Sequence, residues 1–113
     1  MQKLSLDAVG REQLRAAGSS TSARAATTVV GGHERALRQT VVALLADAAL
    51  DEHENPGEAS LQVLSGRVEL RAGSDTWEGR SGDLIEIPKA RNSVHALEDS
   101  VVLLTAVPSA HLH

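Results

Sequence analysis

Five histidines are the obvious candidates for chemistry in this chain of 113 residues, since imidazole ligates metals and moves protons near neutral pH. There is no cysteine and no tyrosine, which removes thiolate metal sites, iron–sulfur clusters, disulfides, a cysteine nucleophile and tyrosine acid–base work. His33 follows Gly31 and Gly32 in a turn and reads as a solvated surface group. His111 and His113, one residue apart in the tail, suit adventitious metal at most, because chain ends fray. No serine sits in a Gly-x-Ser-x-Gly elbow, and Gly31-Gly32 lacks the lysine and following helix of a phosphate cradle. His53 and His95 remain, and their use depends on the elements that carry them.

Composition limits those elements. The chain is long enough for one domain, and 42% hydrophobic residues suffice for one compact core. A domain this small leaves much apolar surface uncovered, so a homodimer is the expected state. Net charge is −4, with basic and acidic residues interspersed, which excludes nucleic acid as an expected partner. Trp77 is the lone aromatic residue, so base stacking and aromatic cages are disfavoured. The N-terminal stretch carries charges at short intervals and lacks an unbroken apolar run, so no membrane segment is expected and cytoplasmic residence is the default.

Leu6, Val9, Leu14 and Ala17 fall near one face of a helix over residues 5–17, with Ser5 or Asp7 as its cap. Gly18 through Ser22 ends it as a surface loop or flexible arm. Residues 1–24 thus form a leading helix and loop, and residues 25–113 an all-β domain. Strands are predicted at 25–30, 36–45, 60–64, 67–72, 75–78, 84–87, 92–97 and 101–107. Turns are predicted at Gly31-Gly32, Asn55-Pro56-Gly57, Gly73-Ser74 and Gly79-Arg80-Ser81-Gly82. The run LRQTVVALLADAAL is ambiguous, its Ala and Leu suiting a helix while Thr40, Val41 and Val42 favour a strand. The surrounding β pattern decides for strand. Trp77, between two turns, reads as a hydrophobic plug at a sheet edge, with a dimer face as the alternative. Glu98 and Asp99 read as a solvated turn.

The stretch HENPGEASLQVLSG resembles the first signature of the cupin superfamily, His-x-His, three or four residues, Glu, six residues, Gly. His53 fits the first position and Gly66 the last, while Asn55 replaces the second histidine and Ala59 the glutamate. The stretch GDLIEIPKARNSVHALEDS resembles the second signature, with Gly82 and Pro88 in place, Ala90 standing for a glycine, and Asn92 at the histidine position after a loop one residue short. The resemblance covers residues 50–107, about half the chain. It implies a double-stranded β-helix, or jelly-roll barrel, preceded by a short α-helix.

In cupin enzymes, imidazole and carboxylate hold a divalent transition metal. Here three of the four inherited ligands are replaced, and His53 is left as the sole strong donor. The resemblance therefore implies a barrel without a tightly held metal or other cofactor, in which His53, Asn55 and Asn92 hydrogen-bond a small polar molecule among apolar side chains. A metal-dependent dioxygenase or isomerase is the alternative, using His53 with displaced ligands Glu58 and His95. Alternation along a strand sets His95 opposite in facing to Asn92, and Glu58 opposite to Ala59, unless a bulge intervenes. A sensory or assembly module acting through protein partners is the third reading. Neither enzymatic nor non-enzymatic action is assigned.

Overall fold

The computed structural model describes residues 2–53 and 57–108, with the side chains of Glu52 and His53 left out. One helix, α1 (Leu6–Gly18), precedes nine strands: β1 (Arg24–Val30), β2 (Arg38–Leu44), β3 (Ala49–His53), β4 (Gly57–Ser65), β5 (Arg67–Ala72), β6 (Asp75–Arg80), β7 (Leu84–Glu86), β8 (Asn92–Ala96) and β9 (Ser100–Pro108). They form two antiparallel sheets, one ordered β1-β2-β9-β4-β7 and the other β3-β8-β5-β6.

The two sheets face each other across a core of branched aliphatic side chains. Val42, Leu44, Leu61, Val63 and Val102 from the larger sheet meet Val68, Leu70, Val94 and Ala96 from the smaller. Each residue between these on its strand faces outward, because successive side chains alternate. On the larger sheet the outward set Val41, Ala43, Val101 and Leu103 is also apolar, and α1 covers it with Leu6, Val9, Leu14 and Ala17. That double burial explains why the run around Thr40 reads ambiguously: β2 buries both faces, so its hydrophobic residues are continuous rather than alternating.

The helix starts where Ser5 Oγ accepts the Ala8 N–H at 3.2 Å. It runs through Gly18, and the Ser19 N–H closes it on Ala16. Of the two expectations for the segment after it, a surface loop or a flexible arm, the structure has the loop, an exposed link bonded from Ser20 N–H to Ala17 and from Ala23 N–H to Ser20.

Several expected boundaries shift. Strand β3 went unpredicted, since ALDEH has only two apolar residues and gains its partners from β8 far along the chain. β2 begins at Arg38, and β4 extends to Gly57 at one end and Ser65 at the other. Asn55 and Pro56 of the expected turn lie outside the described residues. Gly79 and Arg80 belong to β6 rather than a turn, because Gly79 pairs with Val68 and lets β6 close against the larger sheet. A Cβ on Gly79 would lie 3.0 Å from Val63 Cγ2 and 3.1 Å from Ile85 Cδ1. Asp99 is more than a solvated turn residue, since its Oδ1 accepts the Ala46 N–H at 2.8 Å. Trp77 stands opposite Leu70 at the edge of the smaller sheet, on its core-facing side, yet remains 42% exposed, so it covers that edge only in part.

Arg24 ties the other flank together. Its Nη1 donates to the Ala49 carbonyl at 2.7 Å and lies 3.6 Å from Asp51, joining β1 of the larger sheet to β3 of the smaller. Of the described residues, none forms a helix long and apolar enough to cross a membrane.

Candidate functional site

Asn92 opens β8 and shares its face with Val94 and Ala96, both of the barrel core. It is 1% exposed, one of two polar residues buried to that degree among the described residues. Its Nδ2 donates to the Ala90 carbonyl at 3.0 Å. Its Oδ1 is buried and has no hydrogen-bond partner among the described residues. A buried acceptor left without a donor costs about 1–3 kcal/mol, so the arrangement needs an occupant or is retained at a cost in stability.

The backbone register sets position 53, at the end of β3, directly opposite Asn92. Ala72 lies beside Asn92 on the other flank, one step past the Arg71–Ser93 pair. Across the core, the same end of the larger sheet presents Gly57, Ala59 and Ala106 inward, with Ile87 from the loop after β7. Small residues thus surround Asn92, where the opposite end is filled by Leu44, Val63, Val68 and Val102. Ala59, Ala106, Leu104 and Leu50 are half-buried, so solvent reaches this end of the barrel.

Of the three residues expected to hold a ligand, Asn92 faces the interior as the motif implies. His53 is placed by its backbone alone, and Asn55 lies outside the described residues. The displaced metal set of His53, Glu58 and His95 is not brought together. Glu58 is exposed on the outward face of β4, whereas His95 is on the outward face of β8, in the other sheet. His95 Nε2 lies 2.9 Å from Ser93 Oγ on that outer surface and stands across from Glu69.

A divalent ion of the cupin type needs several imidazole or carboxylate donors converging at this end. The described residues there supply one neutral amide oxygen, from Asn92, and Ala59 supplies nothing. Among the described residues no three His, Asp or Glu side chains gather anywhere. The described part of that donor set does not by itself fit a tightly held transition metal.

A cavity of about 570 Å³ opens beside β4, β7 and β9, lined by Ser60, Glu86, Lys89, Thr105 and Val107 together with Gly57, Ala59, Ile87 and Ala106 of the same strands and loop, and by no described residue of the smaller sheet. Ser60 pairs with both Glu86 and Thr105, so these three outward side chains form one row across the strands. This is the part of the sheet that α1 leaves bare. Sequence reasoning missed it because nothing in the local pattern shows how far the helix reaches.

No protein-family model and no curated protein matches the chain. Solved structures do. A conserved protein of unknown function from Streptococcus pyogenes is 26% identical, with a TM-score of 0.67 over 79% of this chain and 77% of that one. An RmlC-like cupin protein from Desulfovibrio desulfuricans is 24% identical, with a TM-score of 0.64 over 75% of this chain and 82% of that one. A structural-genomics protein of unknown function from Rhizobium leguminosarum, 15% identical, has a TM-score of 0.70 over 96% of this chain and 97% of its own.

Proposed function

We propose that this chain, a small domain with the cupin fold, binds a small polar molecule at the Asn92 end of its barrel and holds it by hydrogen bonding rather than through a divalent ion. One observation supports the reading: a buried amide oxygen with no partner among the described residues, at the end of the barrel where alanine and glycine face inward. Mostly apolar walls with one or two convergent polar groups are the usual form of a small-ligand site. Burial makes such a group discriminating, because a ligand that satisfies Oδ1 relieves a desolvation cost that a mismatched ligand leaves in place.

Two measurements test this. Elemental analysis of protein purified without added metal should find no stoichiometric transition metal, and near-stoichiometric iron, manganese, nickel or zinc would overturn it. Screening of small polar fragments by amide chemical shifts should map binders to Ala59, Ala72, Asn92 and Ala106. Binders that consistently map away from those four residues would move the site elsewhere.

A further inference from the structure

We infer that the molecule held at this end must present a hydrogen-bond donor, an N–H or O–H group, to Asn92 Oδ1, and that molecules of equal size carrying only acceptors are rejected. The inference rests on the reading that the Asn92 end is a ligand site, and it adds the polarity of the ligand.

An asparagine amide normally serves either sense of hydrogen bond, because rotation by half a turn exchanges its donor for its acceptor. Here that freedom is gone. Nδ2 lies 3.0 Å from the Ala90 carbonyl. A carbonyl accepts and never donates, so turning the amide over would set two oxygens against each other. The orientation with Nδ2 toward Ala90 is therefore fixed by the backbone of the loop before β8, and Oδ1 is left as a pure acceptor facing the interior. Of the described side chains at this end, Ala59, Ala72, Ile87 and Ala106 offer only hydrocarbon and do not change its sign.

An acceptor placed against Oδ1 would gain nothing and bring two partial negative charges together where little water screens them. A donor placed there gives Oδ1 the partner it lacks among the described residues, while the one bond of Nδ2 stays on Ala90. A site built around a single unpaired buried group rejects the analogue that cannot pair with it far more strongly than it rejects a change in size. The expected preference for donor over size-matched acceptor is about tenfold or more in dissociation constant.

The test uses the full-length chain, isotopically labelled, with two size-matched pairs of probes: propionamide against methyl acetate, and pyrrole against furan. Titration of each is followed through the Asn92 side-chain amide and the backbone amides of Ala59, Ala72 and Ala106. Propionamide and pyrrole should bind about tenfold tighter than their partners. In Asn92→Leu that preference should vanish, with Asn92→Ala as the second variant if the leucine does not fold.

If both members of each pair bind the wild-type protein equally and shift these resonances, the donor requirement is wrong while the site stands. If no probe shifts them up to its solubility limit, the site is wrong and the requirement falls with it.

Discussion

Replacing Asn92 by leucine should make the unliganded domain more stable, although the residue is 1% exposed and sits at the start of a core strand. Three contributions decide the sign. The unpaired Oδ1 costs about 1–3 kcal/mol as it stands, and the substitution removes that cost. Loss of the bond from Nδ2 to Ala90 takes back roughly 0.5–1.5 kcal/mol, toward the low end because Ala90 is exposed and its carbonyl can turn to water. Leucine fills nearly the same volume with hydrocarbon beside Val94 and Ala72, and the change of shape limits that gain by up to about 1.5 kcal/mol. The first two contributions leave about −0.5 to +2.5 kcal/mol, and a net hydrocarbon gain of about 1 kcal/mol brings the balance to a stabilisation centred on about 2 kcal/mol. Urea unfolding followed by the fluorescence of Trp77 would show it as a midpoint raised by roughly 0.5–1.5 M with an unchanged slope. Asn92→Asp should move the other way by more than about 3 kcal/mol, since it buries a charge beside the Ala90 oxygen. A leucine variant less stable than wild type by about 1 kcal/mol or more would mean that Oδ1 already has a partner in water, and the case for a ligand donor would lose its foundation.

Gly66 adopts φ 86°, and a Cβ there would overlap Ser100 Oγ and the Asp99 carbonyl and reach 2.7 Å from Ser100 Cα. Gly66→Ala should therefore cost more than about 3 kcal/mol and leave little folded protein at 37 °C, read by circular dichroism. Ser100→Ala should cost about 1–3 kcal/mol in urea unfolding, because Ser100 Oγ accepts the Arg67 N–H at 3.0 Å inside a fully buried corner. Removal of residues 2–18 should expose Val41, Ala43, Val101 and Leu103 together, giving more dye binding and aggregation than the intact chain measured beside it.

The frame was far more legible than the site. The β5–β6 hairpin announces itself through Gly73-Ser74 between two β-rich runs, and β5 has the predicted bounds of 67–72. The helix over Leu6–Gly18 follows from spacing and the Ser5 cap alone. β3 is invisible in the sequence because a strand with two apolar residues is defined by its partner β8, about forty residues away, and not by its own pattern. Gly79 was read as a turn because glycine usually marks one, whereas its missing side chain serves the close approach of β6 to Val63 and Ile85. For the site, alternation sufficed to turn Asn92 inward and Glu58 and His95 outward. What no spacing could reveal is that the Ala90 carbonyl fixes the sense of the Asn92 amide, since that depends on one backbone oxygen in a loop.

The two cupin-like signatures separate into parts with different physical grounds. Gly66 stands at a corner where the backbone of Asp99 and Ser100 leaves no room for a Cβ, so any chain that makes this barrel meets that demand whatever it binds. The ligand positions carry no such demand: Ala59 pairs with Ala106 in an unbroken stretch of the β4–β9 register, and Asn92 still pairs with position 53, across a register shift in β3. A barrel of this kind is thus free to exchange imidazole and carboxylate for small or amide side chains while its architecture stays intact. The exchange also alters what the end of the barrel recognises. Imidazole and carboxylate offer lone pairs to a cation from several directions, whereas one oriented amide oxygen offers them to a single donor from one direction. On the proposed reading, the Asn92 end distinguishes the hydrogen-bonding sense of a small molecule, and the loop that sets Ala90 against the amide is the element that fixes which sense is read.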